Sequence, residues 1–263
     1  MNLIQFPSVF VSHGAPSLFL ETDQPAHQFL RDFGRGLGRP DAILVISAHW
    51  ETPEPVLTTA ARLETIYDFG GFDPALYTVR YAPPGSSAVS AQACELLEEA
   101  GFMPTLDATR GIDHGGWVPL ALMYPDANVP VVQLSVQSHL GPDHHHRLGQ
   151  ALRPLREEGV LILASGSLTH NLQAAFRWKP GVATPPKVNA FSTWVADTLT
   201  GSHPENLLDY ERQAPEAHWN HPTPEHFLPL LAAWGAGTPG VVPRRVHSSI
   251  TFGVLAMDAY RFD

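Results

Sequence analysis

Four short runs of nearly uninterrupted apolar residues constrain this chain more than any other feature: SVFVSH (8–13), AILVISAH (42–49), VPVVQLSV (129–136) and GVLILASGS (159–167). A strand with one face in water alternates apolar and polar residues. These runs do not alternate, so they read as strands buried on both sides. Between them lie segments with helical spacing, SSAVSAQACELLEEAG (86–101) and PDHHHRLGQALRPLREEG (142–159), closed by Gly101 and Gly159. Glycine at such a position suits a helix C-terminus. Strands alternating with helices imply a parallel sheet covered on both faces. The expected fold is therefore α/β, a three-layer α/β/α sandwich with a mostly parallel central sheet. No repeat, low-complexity tract or linker interrupts the chain, and residues 1–263 are expected to form a single domain.

The C-terminal part is less regular. A helix is predicted across FSTWVADTLTG (191–201). Another is predicted to begin in NHPTPEHFLPLLAAWG (220–235), with Thr223 as its cap, Pro224 at its first position, and Glu225 and His226 in its first turn. SSITFGVLAMDAY (248–260) is expected to be a final strand, antiparallel to its neighbours.

Charge and composition narrow the function classes. With 16 basic and 26 acidic residues the formal charge is −10, and no basic cluster offers a footprint for nucleic acid. The N-terminus MNLIQFPSVF lacks a basic segment followed by a cleavage site, and no apolar run approaches a membrane span, so a soluble, cytoplasmic protein without membrane contact is expected. One cysteine, Cys94, excludes an internal disulfide and a thiolate cluster, and it reads as a small buried filler of its helix.

The fourteen histidines carry the chemistry. His13 follows the first apolar run, His49 ends the second, and His170 lies a few residues beyond the fourth. Ligands of open α/β sheets bind outside the carboxyl ends of the strands, and parallel strands place all those ends on one edge. Any one of these histidines is simply explained as a loop residue bonded to backbone; three at strand ends favour a shared site for a metal or for acid–base chemistry. His226, in PTPEHF, is a fourth candidate. His114, in RGIDHGGW, sits in an expected loop whose glycines permit close backbone approach, with Asp113 beside it either to orient the ring or simply to end a turn. His144, His145 and His146 point in different directions on a helix and read as a solvated first turn. His27, His139, His203, His218 and His247 have no supporting context, and His221 reads as a loop or supporting residue. The chain holds no H-E-x-x-H, G-x-S-x-G, phosphate-binding or dinucleotide-binding motif, which leaves redox metal chemistry or metal-assisted hydrolysis.

Seven segments in order, SHGAP (12–16), SAHWET (47–52), TIYDFGGFDPALY (65–77), YAPPGS (81–86), GIDHGGWVPLALMYPDANVPVVQLSVQ (111–137), SGSLTHNL (165–172) and PTPEHFLPLL (222–231), resemble the class III extradiol ring-cleavage dioxygenases. Within this LigB-like family the similarity is to the DOPA 4,5-dioxygenase-like subgroup, and it spans residues 8 to about 260. SHGAP departs from the usual S-H-G-S-P. The resemblance implies a catalytic domain in which His13, His49 and His226 hold the metal, with His170 either a fourth ligand or the acid–base residue. It implies that His114 contacts a catechol hydroxyl. The implied substrates are a catechol and O2; a homodimer is possible. Fe(II) is the implied working metal, with Zn(II) bound in its place in some preparations, since an all-histidine site suits either ion. Trp50, Phe69, Phe72 and Trp117 are candidates for an aromatic wall. The alternative function is a zinc-dependent hydrolase using the same histidines to activate water. A third is a closed, four-histidine zinc site without turnover.

Overall fold

The computed structural model describes residues 5–263. In its first half the elements are β1 (Ser8–Ser12), α1 (Pro25–Leu37), β2 (Ala42–Glu51), β3 (Val56–Thr58), α2 (Ser87–Glu99), β4 (Thr105–Asp107), α3 (His114–Met123) and β5 (Val131–Val136). There follow α4 (Gly141–Leu152), β6 (Val160–Gly166), α5 (Leu172–Arg177), α6 (Pro186–Thr200), α7 (Tyr210–Gln213), α8 (Ala217–Asn220) and α9 (Leu228–Ala236). The chain ends with β7 (Arg244–His247), β8 (Ile250–Thr251), β9 (Leu255–Ala256) and β10 (Ala259–Phe262).

The four apolar runs become β1, β2, β5 and β6, which lie side by side in one eight-stranded sheet of order β4-β3-β5-β2-β6-β1-β10-β7. Pairing within β5-β2-β6-β1 is parallel throughout. β1, β5 and β6 are buried along their whole lengths, as expected of strands covered on both faces. Helices flank the sheet in a three-layer α/β/α arrangement, with α3 against β2 and β6 and packed on α1, and with α9 against β6, β1 and β2 and packed on α4. On one side β10 pairs antiparallel with β1 and β7 lies beyond it at the edge, and on the other β3 pairs antiparallel with β5 and β4 lies beyond it.

Helix ends follow local chemistry. Ser86 Oγ caps α2 by accepting from Val89 N at 3.3 Å, and Gly101, at φ 86°, takes the chain out of the helix. Gly159, at φ 79°, stops the turn that continues α4 and starts β6.

Three expectations need correction. Residues 222–227 are turns, and α9 begins only at Leu228. The His226 carbonyl is drawn away to accept Ser167 N at 2.9 Å, while Thr223 Oγ1 donates to Glu225 Oε1 at 2.9 Å instead of capping a helix. Residues 248–260 are not one strand: Phe252 (φ 48°) and Gly253 (φ 63°) fold the β8-β9 hairpin before β10 begins. His144 and His145 are buried, not solvated. His145 Nδ1–H donates to Gly141 O at 2.7 Å and its Nε2 accepts Gln137 N at 3.1 Å, while His144 Nε2 meets Gln137 Oε1 at 3.0 Å. These two rings tie α4 to the end of β5, a tertiary demand invisible to helical spacing.

α4 and α9 approach closely because each offers a glycine to the other's backbone. A β-carbon on Gly149 would overlap the Ala232 carbonyl oxygen, and one on Gly235 would overlap that of His146. Backbone cannot yield as a side-chain end can. Gly149→Ala is therefore expected to destabilise the protein by about 1–3 kcal/mol, measured as a shift in urea midpoint at unchanged slope.

Candidate active site

The carboxyl ends of β1, β2 and β6 share one edge because the strands are neighbours and parallel. Register levels them further: Ser165 of β6 pairs with Val11 of β1 on one side and with Ser47 of β2 on the other. His13 and His49 emerge two residues beyond that level. Pairing of β2 with β5 is irregular between Ile46 and Glu51, and this departure from the ladder lies across His49. His226 arrives from the turn before α9.

These three rings converge. His49 Nε2 lies 2.9 Å from His13 Nε2 and 3.2 Å from His226 Nε2, and the ligand-capable nitrogens of the trio all fall within 4.8 Å of one another. The other ring nitrogens explain which atoms are free. His13 Nδ1 is 2.9 Å from Ser165 Oγ, whose own proton goes to Gly115 O, so the ring donates through Nδ1–H and keeps a bare lone pair on Nε2. His226 donates Nδ1–H to Glu225 Oε1 at 2.8 Å with the same result. His49 Nδ1 faces Asp68 Oδ2 at 3.6 Å. Lone pairs aimed at one point repel unless a cation lies among them. Nitrogens sharing a cation through bonds near 2.1 Å stand about 3.0–3.4 Å apart, so the donor set fits a metal.

His170 and His114 complete the ring of imidazoles without joining that trio. His170 stacks face to face on His226, with centroids 3.4 Å apart and planes at 13°. Its ligand-capable nitrogen groups with His226 and Glu225 and not with His13 and His49. Among the described residues, no protein group bonds its ring nitrogens. His114 lies against His49 at 3.8 Å between centroids, with Nδ1 2.9 Å from Asp68 Oδ1. That contact is too poorly aligned to satisfy Nδ1, and the well-formed bond to Asp68 Oδ1 comes from His114 N at 2.9 Å.

Burial sets the protonation states. It drives His13 and His226 well below the usual imidazole range, and repulsion from neighbouring imidazoles adds to it. His49 and His170 are brought down to about 3, again by burial first. The rings are neutral near pH 7, which is the form that binds metal. Burial alone would raise Asp68, but hydrogen bonds and charge from His114 outweigh it and hold the carboxyl below its ordinary value.

All five imidazoles line a single cavity of about 490 Å³. Its other walls include Phe69, Phe72, Leu172, Phe176, Phe252 and Leu255. Of the four aromatic candidates, Phe69 and Phe72 face the cavity. Trp117 is fully buried behind it, donating Nε1–H to Ile66 O at 3.1 Å, and Trp50 packs beneath the Arg110 guanidinium at 4.6 Å.

The segment RGIDHGGW is the start of α3 and not a loop, with Asp113 as N-cap. Its carboxylate, wholly buried, accepts from Ser47 Oγ at 2.7 Å, Arg110 Nη2 at 3.0 Å, Gly116 N at 3.2 Å and Gln133 Nε2. Ser47 Oγ in turn accepts His49 N at 3.2 Å. One carboxylate thus ties β2, β5 and α3 together beside the histidines. Gly115 completes the fit, since a β-carbon there would press within 2.9 Å of His49 Cδ2.

Reading the residues one by one did not single out Asp68, Ser165, Phe176 or Phe252. Asp68 and Ser165 stand inside TIYDFGGFDPALY and SGSLTHNL, where matched segments were the only signal. Nothing in the sequence pattern marks Phe176 or Phe252.

Comparison with known proteins accounts for this arrangement. Residues 7–257 match the family described as the catalytic LigB subunit of aromatic ring-opening dioxygenase. The chain belongs to this family, and it is a ring-cleavage dioxygenase rather than the zinc hydrolase weighed above. It is 44% identical over 256 residues to a 4,5-DOPA dioxygenase extradiol of Beta vulgaris, covering 96% of this chain and 95% of that one. It is 38% identical to the protein of the same name from Escherichia coli K12, covering 98% and 94%. A crystal structure of an uncharacterized Escherichia coli K12 protein superposes with a TM-score of 0.81 at 32% identity, covering 98% of this chain and all of the other. Among the described residues no helix is long and apolar enough to cross a membrane.

Removing the Asp113 carboxylate would strand Arg110 and Gln133 without their buried acceptor. Asp113→Ala is expected to cost about 3–5 kcal/mol of stability, checked by equilibrium urea unfolding.

Proposed function

We propose that the chain opens the ring of a DOPA-like catechol next to its diol, using O2 and an Fe(II) held by His13, His49 and His226. The observation that carries this reading is the meeting of three neutral imidazole lone pairs at one point of an aromatic-walled cavity, in a chain of the LigB family. Three histidines leave coordination positions open, unlike a closed structural zinc site. When bound, the iron supplies the redox chemistry that dioxygen needs. The protein's own part is to bind, orient and move protons.

His170 is proposed as the acid–base residue and not as a fourth ligand. Its stacking on His226 and its separation from His13 and His49 support that choice, and its unbonded ring nitrogens can take a catechol proton. His114 is proposed to contact a substrate hydroxyl, held by Asp68 at the cavity wall. Ser165 and Glu225 fix the tautomers of His13 and His226, so that Nε2 is always the free nitrogen. Phe69 and Phe72 exclude water from the ring's faces, and the fixed pose converts an encounter of two molecules into a local step.

The test is oxygen uptake with DOPA and simple catechols on protein reconstituted anaerobically with Fe(II). Uptake with a coloured ring-opened product is expected, and its absence with iron shown to be bound would overturn the reading. His13→Ala, His49→Ala and His226→Ala should each lose metal by elemental analysis. His170→Ala should retain most of its metal yet lose about 10²-fold or more in kcat; clear metal loss there would make His170 a ligand instead.

A further inference from the structure

Helix α5 follows His170 in the chain and lines the catalytic cavity with Leu172, Ala175 and Phe176. It has six residues, too few for a helix to be stable in water alone, and none of the six is buried. Only Ala174 and Ala175 pack partly against the core, so the helix is held chiefly at its ends. At the start, Asn171 Oδ1 accepts Ala174 N at 2.9 Å, Asn171 Nδ2 donates to Trp219 O at 2.6 Å, and His170 N donates to Asn220 O at 2.8 Å. At the far end, Trp178 lays its indole on Gly253 of the β8-β9 hairpin and donates Nε1–H to Val182 O at 2.9 Å. A β-carbon on Gly253 would overlap that indole, and the glycine's φ of 63° admits few other residues.

The hairpin is tied to the same segment a second time. Thr169 Oγ1 donates to Val254 O at 2.8 Å and accepts Ala256 N at 2.7 Å. One tie therefore adjoins His170, and the other stands two residues from Phe176. Between Thr251 and Gly253, Phe252 holds φ 48°, a region an aromatic residue enters only when its surroundings compel it, and its ring lines the cavity.

Phe176 is 82% exposed, the most of any large apolar side chain among the described residues, and it too lines the cavity. An aromatic ring kept in water at a cavity rim gains by being covered. A catechol whose two oxygens face the histidines carries its ring substituent away from them, toward that rim. We infer that Phe176 is a substrate-binding residue, covered by the ring substituent of the bound catechol, and that Trp178, seated on Gly253, is the positioning residue that holds Phe176 and Phe252 in one wall. The inference rests on the catechol-cleaving reading above and adds to it a contact for the substituent. The carbon stem of a DOPA-like side chain supplies the apolar surface, while its charged groups keep their water at the rim.

The experiment measures oxygen uptake and anaerobic equilibrium binding of DOPA and of unsubstituted catechol on Fe(II)-loaded protein. Phe176→Ala, at an exposed position where folding is not at stake, is expected to weaken DOPA relative to catechol by about fivefold or more in both KM and Kd, and Phe176→Leu to recover part of that loss. Trp178→Ala is expected to raise KM for DOPA by about the same factor while kcat falls less than about threefold, because His170 keeps its own ties through Thr169 and Asn220. Trp178→Phe, which keeps a ring on Gly253, should recover part of the KM. Gly253→Ala should raise KM by itself and add little once Trp178 is alanine, since the overlap is then gone. An unchanged DOPA-to-catechol ratio in Phe176→Ala overturns the inference while leaving ring cleavage intact. Lower kcat with KM unmoved in Trp178→Ala overturns the positioning role. If neither compound is turned over, the catechol reading fails and the Kd ratio still decides the contact; binding of neither overturns both.

Discussion

The site depends on parallel pairing of β2, β6 and β1. Parallel neighbours must end on the same edge, and their register leaves Val11, Ser165 and Ser47 at one level. Each strand then has only a few residues in which to present a side chain over that edge. His13 and His49 use them from β1 and β2, while the turn before α9 delivers His226 through its carbonyl bond to Ser167. No loop has to span a long distance to bring the three nitrogens together. A one-residue slip of β2 against β6 would turn its side chains to the opposite face and dissolve the cluster.

What the strands bring together, hydrogen bonds outside the trio make usable. An imidazole offers a lone pair on only one nitrogen when neutral, so the partner of the other nitrogen decides what the ring can do. Ser165 receives the proton of His13 because its own hydroxyl proton is committed to Gly115, and Glu225 does the same for His226. Burial reinforces the choice by disfavouring the charged rings. The buried Asp113 carboxylate, with Ser47, Arg110 and Gln133, holds the neighbouring backbone in place, so the geometry of the histidines is paid for in a polar network that must be satisfied completely.

The cavity combines this polar floor with a wall of aromatic and aliphatic side chains drawn from distant segments: the loop after β3, helix α5 and the β8-β9 hairpin. The imidazoles and the apolar wall thus stand on different elements. The histidines stand on or beside the rigid central sheet, where small errors of position would be most costly, whereas the wall stands on short surface elements. Exposed positions such as Phe176 can change without disturbing the sheet.

From the sequence by itself came the fold class, the strand identities, the boundaries of α2, the C-terminal end of α6, and the convergence of His13, His49 and His170 at one edge. Those follow from local rules: unbroken apolar runs bury on two faces, and parallel strands share an end. Local sequence also marked His226 and His114 as candidates, and the family resemblance added their roles. Only the tertiary structure decided that His170 stacks on His226 outside the nitrogen trio, that Asp113 begins a helix, that α9 starts after His226, and that His144 and His145 are buried. It also revealed Asp68, Phe176 and Phe252 as cavity residues. The physical reason is the same in each case: these features are set by contacts between segments remote in the chain, which outweigh the local preference of any one of them.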